Sequence, residues 1–339
     1  MAFSILISAL VALIGVATGF AQGPQIPYRP PVKQPHCFES PRECGFPAPS
    51  TTGVEPGVEL KPSGSITITD PGTVVSGLDV TGTIKIGASD VTIENTRVTQ
   101  NSTCGTTSSC GNYAIGIAPE LTGIKISHVE TRSAPGQTCE QDIRNTGAQL
   151  RIVAAYMHAC DGNLYTVGPT TVKDSYGIAK VDIASDHIEN VYFEGTNFKA
   201  IHDTLLNPVE QTAVIFGNSG GGSDVSNCSN RLTVLGSLLA GGGYTLYPCA
   251  HSSEPGSSYL NVQGNHFARC VTKEGLEPDG GNHPCAGGPD SSGYYPNSGS
   301  YGIATDYYPG FGTWRGNVWD NNLARICIDG GSPRNGCGR

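Results

Sequence analysis

From residue 64 to 98 the chain reads GSITITDPGTVVSGLDVTGTIKIGASDVTIENTRV: brief apolar bursts, each closed by Gly, Asp, Asn or Ser. Period-two alternation predicts short half-buried strands, and the small polar residues between them predict turns. One pattern recurs beyond this run: an apolar residue, any residue, a small or polar residue, then more apolar residues. It starts at Ile93, Ile126, Ile152, Val172, Phe193, Val234, Val262 and Trp314. Successive starts lie 33, 26, 20, 21, 41, 28 and 52 residues apart. The shortest intervals match one turn of a parallel β-helix, and the longer ones predict inserted loops. A rung of ~20–25 residues cannot bury its own inner face, whereas rungs stacked ~4.8 Å apart bury a continuous core.

The expected fold is therefore all-β: a single-domain right-handed parallel β-helix over residues 50–339. A β-sandwich is the alternative, but its strands would not repeat an Asn/Gly-apolar signature at near-constant phase. Composition points the same way. With 46 Gly, 23 Pro and only 14% charged residues, the chain favours strands and tight turns over helices.

Residues 1–21, MAFSILISALVALIGVATGFA, read as a secretory signal cleaved after Ala21, with an uncleaved anchor as the alternative. No later segment is apolar enough to cross a bilayer. Residues 22–49 form a Pro-rich arm or cap. All 12 Cys follow the signal, which fits an oxidising, extracellular compartment. Their spacing suggests the local pairs Cys37/Cys44, Cys104/Cys110, Cys270/Cys285 and Cys327/Cys337. A net charge of −9 gives no long-range attraction for nucleic acid or other polyanions. An anionic ligand would need a local basic cluster or a bound cation. A monomer is expected.

VTIENTRV (91–98), LAGGGYTLYP (239–248) and GNVWDNN (316–322) resemble the secreted right-handed parallel β-helix proteins of the pectate-lyase-like superfamily. The resemblance covers roughly residues 44–325. It implies the fold and a carbohydrate-directed role, but not one chemistry, because that superfamily holds lyases, hydrolases, epimerases and binding proteins. Its polygalacturonase motifs are missing here: no Asp-Asp or Gly-His-Gly occurs. The familiar pectate-lyase arrangement around a His and an Asp-Gly run is missing too, since Thr204-Leu205-Leu206 follows Asp203.

Equal offsets from the repeat starts predict a column of polar residues. Counting nine or ten positions gives Asp161 from Ile152, Asp182 (with Lys180 just before) from Val172, His202 and Asp203 from Phe193, and Tyr244 from Val234. Such a face would suit a polysaccharide, with rings against sugar faces and polar groups on hydroxyls. For β-elimination on a uronate polymer, Asp161, Asp182 and Asp203 are the expected Ca²⁺ ligands, Lys180 or His202 the base and Tyr244 the proton donor. Lys199, Tyr247, Arg269 and Tyr295 are the expected substrate contacts. Hydrolysis by Asp182 and Asp203 remains open, as does polysaccharide binding without turnover. Equally open is a plain structural role, in which His202 and Asp203 only hold a turn.

Overall fold

The computed structural model describes residues 37, 40–102, 111–179, 189–194, 197–207, 213–217, 231–242, 244–247, 259–268, 302–304, 312–320, 323–329 and 332–335. These residues are almost all in strands or turns; the one helix among them is a 3-10 turn, Pro41–Cys44. None of their helices is long and apolar enough to cross a membrane.

The strands stack in parallel as three-strand coils. One coil is Thr170–Lys173, Tyr176–Ile178 and Val191–Phe193; the next is Phe198–Ile201, Thr204–Asn207 and Ala213–Gly217. Each strand pairs with its counterpart one coil on. The first and second strands of every coil share a 17-stranded sheet, and the third strands form a separate 9-stranded sheet. We call these the first, second and third faces. Among the described residues, antiparallel pairing is confined to a hairpin, Ile326–Asp329 with Ser332–Asn335, and a single bridge between Val318 and Arg325.

The register shows which sequence repeats are in phase. Ile93, Ile126, Ile152, Val172, Ala200, Val234, Val262 and Trp314 succeed one another along the first face. All but Trp314 are fully buried, so the column is the core's spine. Phe193 does not belong to it. That residue lies on the third face, paired with Thr166 and Gly217, and the true counterpart of Val172 is Ala200. Around this small residue the core gains bulk from Phe193 and Phe198, whose rings stack at 5.3 Å.

Two residues beyond each spine position the chain turns from first to second face through a single left-handed residue. These are Gly77, Asn95, His128, Ala154, Asp174, His202, Gly236, Gly264 and Gly316, with φ between 44° and 67°. Gly adopts this conformation freely, and Asn, Asp and His tolerate it better than other side chains do. Ala154 is the misfit. Ala154→Gly is expected to raise stability by about 0.5–1 kcal/mol, read as a higher urea midpoint, because a methyl at φ 52° is strained. A lower midpoint would show that packing of the methyl outweighs the strain.

The N-terminal arm covers the second face. Cys37 is bonded to Cys44, and its backbone N–H donates to Asp320 Oδ2 at 2.7 Å. Phe46 packs against His266 and His202. The Gly45 carbonyl meets His202 Nε2 at 2.9 Å, and the Pro47 carbonyl accepts from Thr204 Oγ1 at 2.7 Å. Gly53 N–H donates to the Ala154 carbonyl, and Glu55 N–H donates to Asn95 Oδ1. Beneath this strap lie Tyr176, Leu206, Leu238 and Ala240, apolar residues on the outer side of the second face. The arm is thus a lateral strap that runs back across the coils.

Of the disulfides expected from spacing, Cys37–Cys44 is present. Cys327 is also disulfide-bonded. A further bridge, Cys139–Cys160, joins neighbouring coils. Its separation of 21 residues is one short coil, so both cysteines fall at the same phase. The pairs Cys104/Cys110 and Cys270/Cys285 lie outside the described residues.

Candidate functional site

Asp203 does not face solvent. It is fully buried at the inner side of the turn after Ala200. Its Oδ1 accepts from Ser175 N–H and its Oδ2 from Ile201 N–H, both at 2.8 Å. The same position in neighbouring coils repeats this device. Asp203 N–H donates to Ser237 Oγ, Ser237 N–H to Asn265 Oδ1, and Asn265 N–H to Asn317 Oδ1. Asp203 is one step in a ladder that satisfies the backbone of a turn. Burial drives its carboxyl well above the usual carboxylate range, against the two N–H donors that favour the charge.

His202 occupies the left-handed position of that turn. Its Nδ1 lies 2.7 Å from Asp174 Oδ1 in the preceding coil, and its Nε2 faces the arm. Both ring nitrogens are engaged in joining coil to coil and coil to strap.

Among the described residues the members of the expected polar column are not brought together. Asp203 sits between first and second faces, whereas Asp161 is buried beside Cys160, just before the third-face strand Gly162–Thr166. Lys199 points outward on the first face, and Tyr244 and Tyr247 belong to the third. Asp161 and Asp203 stand at different corners, and each Asp203 oxygen accepts an N–H group, so these two expected ligands do not face each other. The physical reason is the phase error at Phe193: seven residues separate it from Ala200, and every offset counted from it is displaced. Lys180, Asp182, Arg269 and Tyr295 lie outside the described residues.

What the third face does present is a column of rings. Its strands alternate, with Ile143, Leu164, Val191, Ile215 and Leu246 buried inside. The residue after each points out: Arg144, Tyr165, Tyr192, Phe216 and Tyr247, registered one above the next. The ring centroids are 5.5, 5.3 and 4.7 Å apart in succession. The Arg144 guanidinium caps the column 4.7 Å from the Tyr165 centroid. One coil before Arg144 the column holds Gly116, and a Cβ there would meet the Tyr113 ring at 2.2 Å, so this ring lies over the glycine. All of these side chains are half-buried, which leaves edges and faces open to ligand.

Polar groups frame the rings. Glu194 accepts from the Tyr165 and Tyr192 hydroxyls at 2.7 and 2.9 Å. Arg144 donates to Gln141 Oε1 at 3.0 Å and lies 3.7 Å from Glu140. At the entrance of the strand Val191–Phe193, burial pushes Glu189 up to about 7, against its own backbone N–H. The strip from Tyr165 to Tyr247 crosses three coil steps, ~14 Å. Rings of this kind pack on the C–H faces of sugars, and a carboxylate and a guanidinium fix hydroxyl or acidic substituents.

Of these residues only Tyr247 is among the substrate contacts expected from the sequence, and it is the last of the column among the described residues. The others carry a sequence signal of their own: Leu164-Tyr165, Val191-Tyr192, Ile215-Phe216 and Leu246-Tyr247 are four aliphatic–aromatic pairs, one per coil. Comparison of the chain with protein-family models, with curated proteins and with solved structures found no match.

Proposed function

We propose that this chain is an extracellular carbohydrate-active protein, a right-handed parallel β-helix of the pectate-lyase-like kind, that holds an acidic polysaccharide along its third face. The observation that carries this reading is the registered column from Arg144 through Tyr165, Tyr192 and Phe216 to Tyr247. A repeating ligand suits a repeating surface, and Arg144 offers its cation to a uronate carboxylate.

The chemistry proposed on this face is β-elimination. Arg144 would neutralise the carboxylate and so acidify the neighbouring C–H. Glu189, whose carboxyl titrates near 7, would accept the proton. A solvent proton would complete the step at the leaving oxygen, because Tyr244 lies four coil steps, ~19 Å, from Arg144. Binding without turnover is the second reading. It is favoured by His202 and Asp203, the residues first expected to react, being engaged in the turn and the strap.

Incubation with a panel of uronate polymers separates these readings. A new conjugated double bond, seen by ultraviolet absorbance, is the expected result. New reducing ends without that absorbance would mean hydrolysis, and retention on the polymer without either would mean a binding protein. Failure to bind any uronate polymer would overturn the reading.

A further inference from the structure

The first face carries a feature that the third-face reading does not use. Lys125, Arg151, Thr171 and Lys199 follow one another in register on its outer side. The three cations are exposed, while Ile126, Ile152, Val172 and Ala200, one position on, are buried. From Lys125 to Lys199 is three coil steps, ~14 Å.

Lys125 and Arg151 stand directly opposite each other in adjacent coils, and like charges so placed are destabilising. Among the described residues no carboxylate forms an ion pair with any of the three. A shallow groove of about 600 Å³ opens over them, lined also by Gln149, Thr171 and Asn197, with no acid among the described lining residues. Glu55 and Glu94 line the adjoining cavity, which Lys125 and Arg151 also line and Lys199 does not. This is a local basic cluster on a chain whose net charge is −9.

We infer that this groove is a binding site for a linear polyanionic polysaccharide. Carboxylate or sulfate groups meet Lys125, Arg151 and Lys199, and sugar hydroxyls meet Gln149, Thr171 and Asn197. The acidic remainder of the molecule repels polyanions at long range, so capture is local and weakens with salt. Three cations are too few for duplex nucleic acid, whose binding rests on about 6–10 phosphate contacts. The inference stands apart from the third-face reading, because it uses a different face and none of its residues.

The test uses the full chain and measures affinity for dextran sulfate, polygalacturonate and neutral dextran at low and at physiological ionic strength. The two charged polymers separate sulfate from carboxylate recognition. Wild type is expected to bind at least one of them and not neutral dextran. The triple variant Lys125→Gln/Arg151→Gln/Lys199→Gln is expected to bind about 10- to 100-fold more weakly, with a shallower salt dependence. Its circular dichroism should match wild type, since all three side chains are exposed. Lys61→Gln, which removes an exposed lysine of the second face, should retain its binding to dextran sulfate. Unchanged affinity in the triple variant, equal binding of neutral dextran, or tighter binding of a single-stranded nucleic acid than of either charged polysaccharide would each overturn the inference.

Discussion

Asp203→Ala is expected to destabilise the protein by about 2–4 kcal/mol, read from urea unfolding monitored by circular dichroism. The change strips the acceptors from two buried backbone N–H groups, those of Ser175 and Ile201, and leaves a gap behind them. Asp203→Asn, which retains one acceptor and turns an amide toward the other N–H, should cost roughly half as much. If alanine leaves the urea midpoint unchanged, Asp203 does not hold the turn.

The same residue sets a pH dependence with a definite sign. Burial raises Asp203 above its unfolded value, and it raises Asp142 to about 6 and Glu189 to about 7, against the hydrogen bonds each accepts. An acid with a raised folded pKa holds more protons when folded than when unfolded. Its contribution is therefore present below the unfolded value, about 4, and is lost as pH rises through the folded value. Glu130 has the opposite sign. Burial acts to raise it, but hydrogen bonds from His158 and Arg97 prevail and bring it to about 2. Its contribution is in place above about 4.5 and disappears only in stronger acid. Urea midpoints should therefore fall from about pH 4.5 to 7, and Asp203→Ala should flatten the slope.

Tyr192→Ala is expected to weaken polysaccharide binding about 10- to 30-fold, some 1.4–2 kcal/mol, because it opens the middle of the ring column. Tyr192→Phe retains the ring and loses only the hydrogen bond to Glu194, so its affinity should stay within about threefold of wild type. Calorimetric titration with defined uronate oligomers measures both. Equal affinity for wild type and the alanine variant would remove the third face from consideration.

Much of the fold is readable in the residues. The apolar starts Ile93, Ile126, Ile152, Val172, Val234, Val262 and Trp314 share one column, as equal phase predicts. The exception displaces the centre of the candidate site, His202 and Asp203. Phe193-Glu-Gly-Thr-Asn-Phe carries the pattern's apolar and Gly/Asn letters but ends a third-face strand. The real start, Ala200, is small, and His202 holds the left-handed place where five other coils use Gly or Asn. A repeat read from bulk and glycine therefore slides by seven residues, and an internal turn acid then passes for a surface group. The ring column is legible only once strand direction is known, since period two alone does not say which of two alternating sets faces out.

The strap has a consequence for how the molecule comes apart. A pile of coils touching only nearest neighbours would fray from either end. Here one covalent thread leaves Asn95, passes Ala154 and His202, and fastens at Asp320, 283 positions from Cys37. Synthesis makes that thread before the coils it covers, yet its last anchorage exists only once Asp320 has emerged, so docking follows the stacking of those coils. Loss should run in reverse: the thread peels, and the coils it had made a single cooperative body then melt separately.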